Sequence, residues 1–435
     1  MSVTAAALAS RLVERGMSAD EREAKQSLFT GVIEQHAMLR GAAPSHVFWV
    51  PGRIEVFGKH TDYAGGRTLV SPVPRGFGVA VSPRQDRVVH VVDVWRGERV
   101  SVGPAASAPT AGWQRYVDVA VRRIARNFPG AELGCDVVIA SDLPRASGMS
   151  SSSALVIAIA EALVRTAALT RHPSWKTNIR SGLDAAGYYA CIENGRDFAA
   201  LRGDTGVGTH GGSEDHAAIM TGRPGHVSAF AFVPARALGV ARVPDAWRFV
   251  IAPSGVAARK TGPAREPYNR LSRGTSLLLE AWNREGPRMV SLAAALNSSP
   301  AATDRLRMLT DTAALPDIPG SWLRDRLQHF IREDARTLEA LDAFERADAR
   351  ALGALATDSQ RDAELLLGNQ VPETSALAAS ARLLGAFAAS SFGAGFGGAV
   401  WALVAAGEAE TFARKWHARA FVAGAALPLT DLSTS

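Results

Sequence analysis

The feature that most constrains the fold is a strand–loop–helix pattern at residues 135–169. Cys135–Ala140 is an apolar run typical of a buried strand, and Leu155–Leu169 is Ala-rich with the pattern of a helix. The loop between them contains Pro144, Gly148 and a run of serines, without the Gly-Lys-Ser/Thr ending of a Walker A loop. The serines can simply cap the helix, but exposed N–H groups and the helix dipole at this position also favour a bound anion. Both interpretations are open from these residues alone.

A second stretch, residues 51–66, brings charged side chains together among glycines. It reads PGRIEVFGKHTDYAGG, with Arg53, Lys59, His60 and Asp62 close in sequence. Glycines let a backbone approach a ligand closely, Asp and His can hydrogen-bond sugar hydroxyls, and Arg can stabilise phosphate charge. An ordinary polar hairpin with an Ala-Gly-Gly turn would contain the same residues, and it is the simpler interpretation of this stretch alone.

The remaining patterns predict an α+β protein of two domains. Arg87–Val94 and Trp247–Ala252 have the pattern of strands, and helices are predicted over Tyr268–Trp282, Leu323–Leu352 and Ser375–Ala389. A third glycine-rich stretch, SFGAGFGGAV from residue 391, indicates only tight packing of a helix against a strand. We place the domain boundary near residue 245, within the VPDAW segment, which gives domains of residues 1–245 and 246–435.

Composition excludes several functional classes. The net charge of +6 is not gathered in a basic run with interleaved aromatics, which argues against a nucleic-acid partner. A modest positive field would suit an anionic ligand, although an Arg-rich genome would explain it at least equally well. Cys135 and Cys191 are expected to be buried small residues without a disulfide framework. The N-terminus does not resemble a signal peptide and no apolar run approaches ~18 residues, so we expect a cytoplasmic protein without a membrane partner.

The order and spacing of the three glycine-marked stretches resemble the signature motifs of the GHMP kinases. Residues 52–66 are similar to the galactokinase signature, and the region 110–116 to a galactokinase stretch near the nucleotide base. The GGSEDH run from Gly211 resembles the segment that carries the catalytic aspartate of the family, and PYNR from Pro267 its sugar-binding tyrosine segment. The resemblance spans roughly residues 45 to 405.

This resemblance implies a two-lobed GHMP kinase fold, with an N-terminal ribosomal-protein-like α/β domain and a C-terminal ferredoxin-like domain. It implies transfer of the γ-phosphate of ATP, with Mg²⁺, to the anomeric hydroxyl of galactose or a related sugar, in a monomer or weak dimer. Asp215 and Arg53 would be the catalytic pair. The other implied site residues are Lys59, His60, Asp62, Gly212 and Tyr268 for the sugar, Trp113, Ala146, Ser147, Gly148, Met149, Ser150, Ser151 and Ser152 for ATP, and Ser152 and Glu193 for Mg²⁺.

Departures from the family pattern bear on the identity of the sugar. Lys59 stands where galactokinases have a glutamate that contacts the sugar, and His216 replaces a glutamine. Because lysine only donates hydrogen bonds, Lys59 in the sugar site would favour an acidic or phosphorylated sugar. Alternatively, it turns away and pairs with Glu55 or another acid. A sugar- and ATP-binding sensor without catalysis is a further alternative, against which Arg53, Asp215 and Glu193 argue.

Overall fold

The computed structural model describes residues 4–103, 111–144, 148–258 and 264–433. Ala146 and Ser147 of the predicted phosphate loop therefore lie outside the described residues. No helix in the described part of the chain is both long enough and apolar enough to span a membrane.

The described residues form α-helices, β-strands and a few short turns of other helix types. The α-helices are α1 (Ala5–Glu14), α2 (Arg22–Arg40), α3 (Gln114–Asn127), α4 (Ser151–Thr166), α5 (Pro173–Asn178), α6 (Gly182–Asn194), α7 (Glu214–Thr221), α8 (Arg265–Glu285), α9 (Leu292–Leu296), α10 (Ala302–Met308), α11 (Gly320–Glu345), α12 (Ala349–Asp362), α13 (Pro372–Leu383) and α14 (Ala409–Trp416). The strands are β1 (His46–Phe57), β2 (Arg67–Pro83), β3 (Val89–Asp93), β4 (Glu98–Val102), β5 (Cys135–Ser141), β6 (His226–Ala231), β7 (Arg236–Arg242), β8 (Trp247–Pro253), β9 (Ala388–Phe392), β10 (Ala399–Ala405), β11 (Phe421–Ala423) and β12 (Thr430–Asp431). The 3₁₀ turns are Ala19–Glu21, Asp62–Ala64, Leu169–Arg171 and Ala406–Glu408, and a π turn covers Ala363–Leu367.

The larger sheet is organised around the long strand β2, which pairs with β1 along most of its length. The end of β2 pairs with β5 and its beginning with β6, so β5 and β6 lie on the same side of it. The order is β12-β1-β2-β5-β3-β4, and β7 pairs with β6. Successive residues of a strand face opposite sides, and β1 accordingly sends Phe48 and Val50 into the core with α4, and Val47 and Trp49 into the core with α1 and α2.

The smaller sheet has the antiparallel order β11-β8-β10-β9. Numbered within this sheet, the order is 4-1-3-2, with helices between its first and second strands and between its third and fourth, as in a ferredoxin-like fold. The boundary predicted near residue 245 falls between β7 and β8, which belong to different sheets. The chain then returns to the larger sheet, because β12 pairs with β1.

Two of the predicted helices differ from the structure. The helix predicted over Leu323–Leu352 is broken between α11 and α12 at Ala347, whose φ is 52°. Asp348 then accepts a hydrogen bond from the Ala351 N–H and caps α12. The helix predicted over Ser375–Ala389 ends at Leu383, and the following small residues form β9 instead.

Candidate active site

A buried ion pair between Arg53 and Asp215 lines one cavity. Arg53 is on β1, Asp215 is in the first turn of α7, and the Arg53 Nε donates to Asp215 Oδ1 at 2.7 Å. Arg53 Nη1 donates to the Gly148 carbonyl at 2.6 Å, and its Nη2 lies 3.3 Å from Glu214 Oε1. Burial acts to lower the pKa of Arg53, but Asp215, Glu214 and Glu55 outweigh it and raise the pKa, so the guanidinium stays charged.

Ser153 joins this pair to the predicted metal ligand Glu193. Its hydroxyl oxygen lies 2.8 Å from Glu193 Oε2 and 3.1 Å from Asp215 Oδ2. Since a hydroxyl has one proton, it donates to one of the two carboxylates at a time. His216 Nε2 lies 3.4 Å from the same Glu193 oxygen. The serine that contacts Glu193 is therefore Ser153, one residue after the predicted ligand Ser152.

Asp62 and Gly212, both predicted to contact the sugar, line this cavity and fit each other closely. The Glu214 N–H donates to Asp62 Oδ2 at 3.1 Å. A Cβ atom at position 212 would lie 2.1 Å from the same oxygen and 2.8 Å from the Tyr63 nitrogen. Only glycine can therefore occupy position 212 while Asp62 keeps this orientation.

His60 and Tyr268 line the same cavity, with ring centroids 5.3 Å apart. His60 Nε2 lies 3.1 Å from the Ala394 carbonyl, which requires a proton on Nε2, and Nδ1 lies 3.0 Å from the Tyr63 hydroxyl. The Tyr63 hydroxyl accepts from Arg326 Nη2 at 3.0 Å. These bonds fix the His60 ring, and both of its nitrogens are already bonded within the protein.

Lys59 does not lie in this cavity, in contrast to the expectation that it contacts the sugar. Its side chain is fully buried on the other side of the turn, where its Nζ donates to Ser359 Oγ at 2.6 Å and lies 3.7 Å from Glu333 Oε1. The backbone turns sharply here, with φ of 101° at Gly58 and 58° at His60, so neighbouring side chains diverge. This arrangement matches the alternative in which Lys59 turns away and pairs with an acidic residue, and that residue is Glu333.

Glu333 is held ionised by this arrangement. Its Oε1 accepts from the Gly58 and Lys59 N–H groups at 3.1 and 3.3 Å, and from Ser359 Oγ at 2.8 Å. Its Oε2 lies 3.1 Å from Arg336 Nη1. Burial acts to raise the pKa of Glu333, but the charges of Lys59 and Arg336 and the bond from Ser359 contribute to lowering it to about 2.

A larger cavity of about 650 Å³ adjoins the start of α4. Its lining includes Trp113, Gly148, Ser150, Ser151 and Ser152. The Ser150 hydroxyl is buried and has no hydrogen-bond partner among the described residues, so it can donate to a ligand. Together with the free N–H groups at the start of a helix, this fits a phosphate chain.

Met149 was predicted to bind ATP but does not line this cavity, and two residues that line it were not predicted. The Met149 side chain is 1% exposed and packs in the main core, although its carbonyl accepts from the Arg53 N–H at 3.3 Å. Trp95 and Arg96, which follow β3, line the cavity with Trp113. The Arg96 guanidinium lies 5.8 Å from the centroid of a Trp113 ring. A tryptophan directly after the predicted strand Arg87–Val94 was the available signal.

Glu55 lines the smaller cavity beside Arg53 and was also missed. Residues two apart on a strand share a face, so Glu55 lies on the same side of β1 as Arg53. Its Oε2 accepts from the Gly393 N–H at 2.7 Å, and its buried Oε1 has no hydrogen-bond partner among the described residues.

Three family models match separate parts of the chain. Residues 34–83 match the galactokinase galactose-binding signature, residues 115–203 the GHMP kinases N terminal domain, and residues 340–423 the GHMP kinases C terminal domain. The chain belongs to the GHMP kinase family. This confirms the resemblance found in the sequence and the α+β fold with N- and C-terminal GHMP domains.

Individual relatives place the chain near the galactokinases. It is 27% identical over 379 residues to a galactokinase of Roseiflexus sp., covering 86% of each chain. It is 31% identical over 136 residues to a galactokinase of Actinobacillus pleuropneumoniae, an alignment that covers only 35% of that relative. The structure of Lactococcus lactis galactokinase complexed with galactose matches 93% of this chain and 100% of that chain, with a TM-score of 0.73 and 22% identity. Methanococcus jannaschii mevalonate kinase matches with a TM-score of 0.56 and 13% identity, so the shared fold extends across the family.

GHMP kinases use ATP as phosphate donor, and the residues around α4 fit this ligand. A nucleotide-bound Mg²⁺ usually has one or two protein carboxylates besides phosphate oxygens and water. Glu193 supplies a carboxylate close to the start of α4, and Ser152 supplies a hydroxyl on the nucleotide side. No group of three or more His, Cys, Asp or Glu side chains in the described parts of the chain is placed to hold a metal by itself, so phosphate oxygens would have to complete the site.

Proposed function

We propose that this GHMP kinase is a galactokinase-type phosphotransferase that moves the γ-phosphate of ATP to the anomeric hydroxyl of galactose or a closely related sugar. The observation that carries the proposal is the position of the Arg53–Asp215 pair between two cavities. Arg53 donates to the carbonyl of Gly148, which lines the larger cavity, while both members of the pair line the smaller one. A phosphate acceptor in the smaller cavity would therefore meet a phosphate donor in the larger one.

Asp215 would orient the sugar hydroxyl and accept its proton. Phosphoryl transfer depends mainly on positioning and on neutralising charge, so a fixed carboxylate beside a fixed guanidinium suits it. Arg53 would hold Asp215 through the Nε bond and stabilise charge on the transferring group. The Ser153 hydroxyl, within hydrogen-bond distance of both Glu193 and Asp215, would orient the carboxylate to which it donates.

ATP would lie along the larger cavity, with its phosphates at the start of α4 and its base near Trp113. Gly148, Ser150 and Ser151 would approach the phosphates, and Ala146 and Ser147 are predicted to do the same. When bound, Mg²⁺ would neutralise phosphate charge, with Ser152 and Glu193 as its protein ligands. A cytoplasmic location and a monomer or weak dimer stay predictions.

The alternative of an acidic or phosphorylated sugar depended on Lys59. Since Lys59 is bonded to Ser359 and lies near Glu333, that support is absent, and a neutral sugar is the better candidate. Asp62, Gly212, His60 and Tyr268 would contact the sugar.

The proposal is tested by ADP release from ATP and Mg²⁺ with a panel of hexoses, pentoses, uronates and sugar phosphates. Galactose or a close relative should give the highest kcat/KM, and the product should be a sugar 1-phosphate by NMR. Binding of sugar and ATP without ADP release would instead favour a sensor without catalysis. ADP release only with non-sugar alcohols would contradict the substrate class.

A further inference from the structure

The smaller cavity is lined by far more acidic than basic side chains. Glu55, Asp62, Glu193, Glu214 and Asp215 all line it, whereas Arg53 is the cationic Lys or Arg side chain among its described lining residues. Even with Asp215 paired to Arg53 and Glu193 assigned to Mg²⁺, the remaining carboxyl groups face the sugar position. A ligand that donates hydrogen bonds fits such a lining, and a ligand that carries a carboxylate does not.

Among these acidic residues, Glu55 has the most clearly defined hydrogen bonding. It is 1% exposed, yet only its Oε2 is bonded, to the Gly393 N–H. The donors of Arg53 are directed elsewhere, to Asp215, Glu214 and the Gly148 carbonyl. A buried carboxylate oxygen without a donor is costly, so a substrate donor at Oε1 would be strongly favoured.

Glu214 strengthens the same preference. Its Oε1 lies near Arg53, and its Oε2 is buried without a hydrogen-bond partner in the part of the chain that the structure describes. Burial, followed by repulsion from Glu55, raises the pKa of Glu214 well above its usual value. Burial also raises the pKa of Glu55 to about 7. A cationic or donor-rich substrate group would relieve the repulsion between the two carboxyl groups, and an anionic group would add to it.

From this bonding we infer that Glu55 is a specificity-determining residue, which accepts a hydrogen bond from a hydroxyl or protonated amine of the sugar and excludes anionic sugars. The inference rests on the proposed sugar kinase function. Glu55 would thus accept a hydrogen bond from the sugar, the role that the family resemblance places at position 59, where galactokinases have a glutamate.

The Glu55→Gln variant has a defined effect on this geometry. The Gly393 N–H needs an acceptor, so the amide oxygen of the glutamine is expected to remain at the Oε2 position. The amide nitrogen then takes the Oε1 position and presents a donor where the wild type presents an acceptor. The substitution therefore reverses the hydrogen-bond polarity at one atom without changing the size of the side chain.

The experiment compares kcat/KM for galactose, galactosamine and galacturonate in the wild type and in Glu55→Gln. Galactosamine supplies a protonatable amine and galacturonate a carboxylate on otherwise similar rings. The ratio of galactosamine to galacturonate kcat/KM should fall by about tenfold or more in the variant, the equivalent of ~1.4 kcal/mol. Glu161→Gln is the matched control, because Glu161 is also a buried glutamate, on α4, but does not line the cavity. It should leave the ratio unchanged.

The outcomes separate this inference from the proposed function. If galactose is phosphorylated but Glu55→Gln leaves the ratio within twofold of the wild type, Glu55 has no role in specificity and the inference is wrong. A wild type that prefers galacturonate to galactosamine also overturns it, without any variant. If the wild type phosphorylates no sugar at all, the proposed function fails first. An equal fall in kcat/KM for all three sugars would mean that Glu55 acts on folding or catalysis, which contradicts the inference.

Discussion

Replacing Lys59 with methionine should destabilise the fold without changing the choice of sugar. Lys59→Met keeps an unbranched side chain one atom shorter than lysine but removes the charge near Glu333, which is fully buried. Removing one partner of a buried ion pair typically costs about 3–5 kcal/mol, because the other charge is left uncompensated. For a lobe of this size, that loss corresponds to a fall in Tm on the order of 10 °C.

The pKa of Glu333 gives an independent magnitude for the stability that this ion pair contributes. Its pKa is about 2 in the folded protein, against an ordinary value of 4.5. A difference of this size is worth on the order of 3 kcal/mol at neutral pH. Because the folded pKa is depressed, this stability is present above pH 4.5 and is lost as the pH falls through the range down to about 2. In Lys59→Met the pKa of Glu333 should rise, so less of this stability exists at neutral pH and acid unfolding should depend on pH less steeply across that range.

Thermal and urea unfolding of Lys59→Met, Glu333→Gln and the double variant would measure the pair. We expect each single variant to be clearly destabilised and the double variant to recover much of the loss, since the neutral amide can still accept from Ser359 and the backbone. Below the melting range, kcat/KM for galactose in Lys59→Met should stay within about threefold of the wild type. An unchanged Tm together with a tenfold rise in the galactose KM would refute the assignment and return Lys59 to the sugar site.

Four further predictions follow from the site. Asp215→Asn should lower kcat by ~10²–10⁴ with ATP affinity retained by calorimetry, and near-normal ADP release would contradict its role. Gly212→Ala should raise the sugar KM, because its Cβ would lie 2.1 Å from Asp62 Oδ2, and an unchanged KM would show that Asp62 does not contact the sugar. Gly148→Val should abolish measurable ATP binding, because φ of 77° disfavours a branched side chain where the phosphates approach, and unaltered affinity would disprove the phosphate assignment. Glu55 has a raised pKa of about 7 in the folded protein, so the wild type should lose stability as the pH rises from 4.5 through 7. Glu55→Gln should remove that part of the decline in Tm, and parallel Tm profiles of the two proteins would show that Glu55 does not cause it.

Much of the fold was accessible from local pattern. The apolar run at Cys135–Ala140 and the serine loop after it became β5 and the start of α4, because both rest on short-range periodicity and small residues. The Arg53–Asp215 pair joins residues far apart in the chain, and periodicity alone could not have connected them. The motif resemblance did so, and the two side chains are in contact.

The break between α11 and α12 shows what pattern alone does not specify. The predicted segment Leu323–Leu352 has apolar residues at helical spacing on both sides of the break, so periodicity favours a continuous helix. A single residue, Ala347, takes a left-handed conformation that alanine rarely adopts, and Asp348 starts the next helix. Packing of both helices against the sheets outweighs the local preference of one residue.

Lys59 could not have been assigned from the motif, because its direction is decided by residues of the other half of the chain. Glu333 on α11 and Ser359 on α12 provide its partners, and both lie more than 270 positions away. A charged motif residue therefore indicates a ligand of opposite charge only if its side chain reaches the ligand. In this protein, the lysine charge is matched by Glu333 in the interior, while Glu55, four residues earlier on β1, lines the cavity with a carboxyl group. The residue type at position 59 alone would thus predict an anionic substrate. When the direction of each side chain in the fifteen-residue motif is included, the motif predicts a substrate that donates a hydrogen bond.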